Sequence, residues 1–126
     1  MYYPQNKLIN MLDNDQIIAC TTEINNSLKD CRELRNQHTI ASIRKTVELL
    51  NLIHEDIQKL AFLENSLMLP HSLKIQIDNR EYSCIDWFNE IVMPNYDNIL
   101  SYLEIDCMLN GITLDLDEQT MRISLR

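Results

Sequence analysis

The sequence predicts an α+β domain in which an N-terminal helical hairpin packs on an antiparallel sheet of two β-hairpins separated by a proline-broken helix. Three observations carry that reading. Apolar residues recur at three- and four-residue spacing from Ile17 to Leu67, they alternate strictly over about 73–84 and 112–125, and Pro94 interrupts the helical pattern lying between those alternating stretches. The 126 residues suit a single domain, 1–126, and no repeat or linker-like stretch divides them.

Pro4 suits the first turn of a short helix with Leu8, Met11 and Leu12, which is expected to end by Asn14. Asp13 and Gln16 then resemble a capping box, opening a helix in which Ile17, Ile24, Leu28, Cys31 and Leu34 form one stripe up to Arg35 or Gln37. Thr39 caps a longer helix, about 39–67. In it Ile40, Ile43, Val47, Leu50, Ile57 and Ala61 make one stripe. Leu49, Leu52, Ile53, Leu60, Leu63 and Leu67 make a second beside it. Adjacent stripes need partners on two sides, so this helix is expected to be the spine, with Pro70 marking its end.

Leu73, Ile75 and Ile77 then alternate with polar residues, and Tyr82 and Cys84 continue the parity after Asn79-Arg80, which predicts a hairpin with one apolar face. Ser83, three residues before Asp86, can cap a helix carrying Ile85, Phe88, Ile91 and Val92. Pro94 breaks it, and a second segment continues through Tyr96, Ile99, Leu100, Leu103 and Cys107 to Asn110-Gly111, where the chain's one glycine suits a left-handed position. In the last hairpin Ile112, Leu114 and Leu116 are expected opposite Leu125, Ile123 and Met121, across a loop from Asp117 to Thr120. The two hairpins most simply join into one sheet. Its open edges favour a homodimer.

Lys and Arg number 11 against 19 Asp and Glu, a net charge of −8 that repels phosphate backbones and anionic lipid, so neither nucleic acid nor membrane is expected as a partner. The excess is uneven: residues 1–70 balance at −2 and residues 71–126 at −6. From Glu81 to Met121 there are nine carboxylates and no Lys or Arg. Cys20, Cys31, Cys84 and Cys107 sit in apolar contexts with no CxxC, no signal-peptide pattern precedes them, and no window reaches the roughly 18 apolar residues of a membrane span. Free thiols in a reducing cytoplasm are therefore expected. Abundant Ile and Asn with scarce Ala, Val and Gly suggest AT-rich coding, as in a low-GC bacterium or a virus in its host cell.

Enzymatic motifs are sparse. His54-Glu55 begins like the zinc motif HExxH, but Gln58 stands where the second His belongs. His54 falls at seam spacing between Leu50 and Ile57 and reads as bordering the core; His71 has no assigned partner. Asp115, Asp117 and Gln119 open like a calcium loop, yet Thr120 and Arg126 occupy the positions of its glycine and bidentate acid. One glycine in the chain forbids a glycine-rich phosphate loop. No cofactor and no metal are expected.

Arg32-x5-His38 resembles the Arg-x4–6-His signature of HEPN-type ribonucleases, all-helical dimers in which these residues from both subunits converge on the scissile phosphate. The resemblance spans seven residues and implies metal-independent RNA cleavage by Arg32 and His38. Glu33, where that family has a small polar residue, and the strand-patterned C-terminal half depart from it.

The basic-free stretch carries the main functional expectation: a non-enzymatic, cytosolic protein-binding module, of the inhibitor, immunity or chaperone-like adaptor kind, that steers a basic protein partner electrostatically. Its candidate contacts are Glu90, Tyr96, Asp97, Tyr102, Glu104, Asp106, Asp115, Asp117 and Glu118, with Trp87 as a further interleaved aromatic. A structural role, with the paired stripes of the long helix building an oligomeric assembly, is the alternative alongside the ribonuclease.

Overall fold

A computed structural model describes the backbone of residues 3–67, 74–77 and 79–126 and the side chains of 15–60, 75–77, 79–83 and 85–126. Its first element, α1 (Tyr3–Leu34), is one unbroken helix where the sequence suggested two. No Gly or Pro lies between Gln5 and Leu34, and Asp13, Asn14 and Asp15 each cost only about 0.5 kcal/mol in a helix interior. Running on adds a hydrogen bond per residue, whereas stopping requires a second nucleus, so propagation overrides the local capping signal.

The chain reverses over Arg35–Gln37, where Gln37 N–H bonds to Leu34 O at 3.1 Å, and His38 adopts a left-handed φ of 53°. Thr39 caps α2 (Ile40–Leu67) as expected: its Oγ1 accepts from Ser42 N–H at 3.0 Å while Ser42 Oγ accepts from Thr39 N–H at 3.0 Å. Ile24, Leu28 and Cys31 of α1 meet Ile43, Val47, Leu50 and Ile53 of α2 in the core. Ile40, expected in that stripe, is exposed, and the buried stripe of α2 begins at Ile43. Leu63, Leu67 and Pro70 lie outside the described side chains.

Strands β1 (Lys74–Ile77) and β2 (Arg80–Ser83) form the first hairpin, with Ile75 opposite Tyr82 and both buried. Asn79 turns it at φ 67°, the conformation a tight hairpin turn needs. Leu73 and the side chain of Cys84 are outside the described residues.

Ser83 Oγ accepts from Asp86 N–H at 3.2 Å, capping α3 (Cys84–Trp87). The helix does not break at Pro94. It widens into a π-helical turn, Phe88–Val92, and continues as α4 (Met93–Leu109). Pro94 has no N–H and its ring would clash with the carbonyl four residues back, and a turn wider by one residue accommodates it. Met93 N–H bonds to Phe88 O, and Asn95 Nδ2 donates to Ile91 O at 2.6 Å. The extra residue also resets the apolar phase: Trp87 and Val92 are buried five apart, followed by Tyr96, Ile99, Leu103 and Cys107 at normal spacing. Ile85, expected in the core, is consequently exposed, and Trp87 takes its place.

Helix α4 ends as the glycine suggested. Gly111 has φ +69°, with Gly111 N–H on Met108 O at 3.2 Å and Ile112 N–H on Cys107 O at 2.8 Å, the paired bonds of a Schellman motif. The last hairpin, β3 (Leu114–Leu116) with β4 (Ile123–Leu125), pairs Leu114 with Leu125 and Leu116 with Ile123. That is two residues away from the expected register. Asp117 Oδ1 accepts from the N–H groups of Gln119 and Thr120, fixing the loop one position later, and Met121 leaves the strand at φ 58°. A shift of two preserves the face of every side chain, which is why alternation alone did not resolve it.

The hairpins do not join. They remain two separate two-stranded sheets, each packed on a different helix: the first lies beside α3 and the second against α2. The α+β class holds, with α4 packed on both long helices. Among the described residues no helix is long and apolar enough to cross a membrane.

Candidate functional site

The basic-free stretch divides in two. Tyr96 is buried, and that burial, followed by Asp97, pushes its hydroxyl pKa up. Tyr102 is half-buried: its hydroxyl donates to Cys31 O at 3.2 Å and its ring lies 4.9 Å from the Arg35 guanidinium, with burial again raising its pKa. Asp106 is buried and its Oδ1 lies 2.8 Å from His38 Nδ1. Asp115 forms a two-bond pair with Arg126, which holds its carboxyl below the usual range. Asp117 is lowered by the backbone N–H groups of Gln119 and then Thr120. These five side chains brace the fold, as does Trp87, whose Nε1–H donates to Asn25 Oδ1 at 2.8 Å.

Glu90, Asp97, Glu104 and Glu118 are exposed, and among the described residues none of them is in an ion pair. Asp97 and Glu104, seven apart, share one side of α4. On the same exposed surface stand Ile105, Met108 and Leu109, 52%, 72% and 76% exposed. These three are absent from the sequence-predicted contacts, although the sequence carries their signal: they are apolar at positions out of phase with the buried Ile99, Leu103 and Cys107.

The two halves of the ribonuclease-like signature take different surroundings. Arg32 lines a cleft with Arg80, whereas His38 is held by Asp106 at the C-terminal end of α4. The His38–Asp106 pair joins residues 68 apart and left no trace in local spacing. His54 borders the core as expected, but among the described residues its buried Nε2 has no partner; it lines a smaller cleft that Glu55 and Arg122 close with an ion pair at 3.8 Å.

One carboxyl stands apart. Asp56 is 1% exposed, with Lys59 Nζ at 3.8 Å, Glu23 and Cys20 of α1 beside it, and Oδ2 without a hydrogen-bond partner among the described residues. Burial, reinforced by the Glu23 charge, pushes its pKa up to about 6. Cys20, Cys31 and Cys107 are unpaired and buried, and burial pushes the Cys31 thiol up to about 12. Among the described residues no three His, Cys, Asp or Glu side chains form a set that could hold a metal.

No protein-family profile, curated protein or solved structure matches this chain.

Proposed function

We propose that this protein is a non-enzymatic, cytosolic protein-binding module of the inhibitor, immunity or adaptor kind, and that the exposed face of α4 engages a basic, amphipathic segment of a partner protein. One observation carries the reading: Asp97 and Glu104, without ion-pair partners among the described residues, stand beside the exposed Ile105, Met108 and Leu109. Apolar side chains exposed on a helix supply burial energy of roughly 25 cal/mol per Å². The flanking carboxylates select a basic partner and speed its encounter. Asp106, Asp115 and Asp117 have their carboxylates engaged within the chain and in this reading contribute field rather than contact.

The test is capture of binding partners by the wild type at low and high salt, compared with Asp97→Lys/Glu104→Lys and with Met108→Asp. Expected are a salt-sensitive complex, a loss of about tenfold or more in the double reversal, and a comparable loss at Met108. Binding that ignores salt and all three substitutions contradicts the proposal. Light scattering shows whether the same face instead seats a second copy, since Met108→Asp would then convert a dimer to a monomer.

A further inference from the structure

The cleft between α1, the first hairpin and the π-helical turn has a volume of about 210 Å³ and gathers the guanidinium groups of Arg32 and Arg80. In a chain with 11 basic side chains and a net charge of −8, this is a local inversion of sign. No Asp or Glu lines the cleft among the described residues, and among those residues neither arginine is ion-paired. Arg80 is placed by its own hairpin, the guanidinium lying 5.4 Å from the Tyr82 ring.

Asn25 adds an uncharged donor. Because an indole N–H can only donate, its bond to Asn25 Oδ1 turns the carboxamide oxygen toward Trp87 and leaves the Nδ2 hydrogens for the cleft. Leu28 and Ile91 supply apolar wall. Arg32, Arg80 and the Asn25 Nδ2 group are therefore cations or donors above a small apolar surface; Tyr82 and Asn95 complete the polar lining, the Asn95 Nδ2 being taken by Ile91 O.

We propose that this cleft binds a small organic oxyanion, a carboxylate or phosphate monoester on a short apolar body. Arg32 and Arg80 grip the oxyanion and Asn25 Nδ2 donates to it. Guanidinium forks match the paired oxygens of both groups, and an anion between two cations relieves their mutual repulsion. The volume lies below the roughly 300–1,000 Å³ of drug-sized pockets, which limits the ligand to about one ring or a short chain. At about 0.1 M salt the acidic field of the rest of the chain is screened beyond about 10 Å, leaving the local pair to decide. This site is separate from the α4 face, so either proposal can fail without the other.

The experiment is an NMR amide-shift titration of the full chain at that ionic strength with phenyl phosphate, benzoate and inorganic phosphate. The expected result is saturable shifts that include the Asn25 side-chain amide, tighter binding of at least one aromatic probe than of inorganic phosphate, and about tenfold or greater weakening in Arg32→Gln and in Arg80→Gln. Arg80→Lys, which keeps the charge and loses the fork, weakens binding less than Arg80→Gln; Arg44→Gln, exposed on α2, leaves it unchanged. The tighter of the two aromatic probes identifies the ligand class. No saturable shift at about 10 mM probe, or undiminished binding in both glutamine variants, overturns the proposal. The spectra of the variants report their folding directly.

Discussion

The side-chain amide of Asn51 makes both backbone hydrogen bonds of Ile123: Nδ2 donates to Ile123 O at 2.9 Å and Oδ1 accepts from Ile123 N–H at 2.8 Å. Ile123 sits opposite Leu116 at a pair whose peptide groups point away from the partner strand, the exchanged bonds falling instead at Thr113–Arg126. One carboxamide from α2 thus stands in for a neighbouring strand and fastens the last hairpin to the helical pair. Asn51→Ala leaves both groups of a buried residue unpaired and is expected to cost about 2–4 kcal/mol. Urea unfolding with an unchanged m-value measures this; a cost below about 0.5 kcal/mol means solvent replaces the amide freely.

Asp56 makes stability fall as pH rises. Its folded pKa, about 6, lies above the ordinary 3.8, so between those values the folded state holds a proton that the unfolded state has released. Stability therefore declines across about pH 4–6, by up to about 1.4 kcal/mol per pH unit, and the loss is complete above that window. Lys59 on α2 moderates the effect; Glu23 on α1 enlarges it. Asp56→Asn is expected to remove this decline and to be more stable than the wild type by about 1–2 kcal/mol at pH 8. Parallel stability–pH profiles for the two proteins speak against it.

Trp87, 1% exposed, is the chain's single tryptophan and reports on the core directly. Its emission is expected to be blue-shifted and shielded from iodide. Trp87→Phe keeps most of the ring volume but leaves Asn25 Oδ1 without its indole donor, a predicted loss of about 1–3 kcal/mol. Strong quenching in the native state would contradict the packing of α3 on α1.

Gly111 separates backbone strain from crowding. A Cβ there meets nothing within 4 Å, yet the residue has φ +69°. Gly111→Ala is expected to destabilise by about 1–2 kcal/mol through conformation alone, and Gly111→Asn by less. Equal thermal unfolding midpoints for glycine and alanine would show that the end of α4 relaxes out of its Schellman motif.

Local chemistry was legible wherever a residue acts on its own neighbours. Thr39 and Ser83 as caps, Gly111 as a terminator, Asn79 in a turn, and the helical burial of Ile24, Leu28 and Cys31 all follow from spacing within a few residues. The site was only half legible. The basic-free stretch was visible, but Asp106 reads no differently from Glu104 in one dimension, although one braces His38 and the other faces solvent. Ile105, Met108 and Leu109 carry a phase signal that can be read only once the π-helical turn sets the phase of α4.

By itself the sequence determined the α+β class, the alternation of each hairpin and the separation of charge along the chain, because these depend on side-chain period and composition. Only the tertiary structure decided that α1 runs unbroken, that the hairpins stay apart, that their last register slips by two, and that Arg32 meets Arg80 in a cleft while His38 meets Asp106. Those outcomes turn on which groups from distant segments satisfy or exclude one another. Burial and hydrogen-bond partnership across tens of residues have no period for a sequence to display.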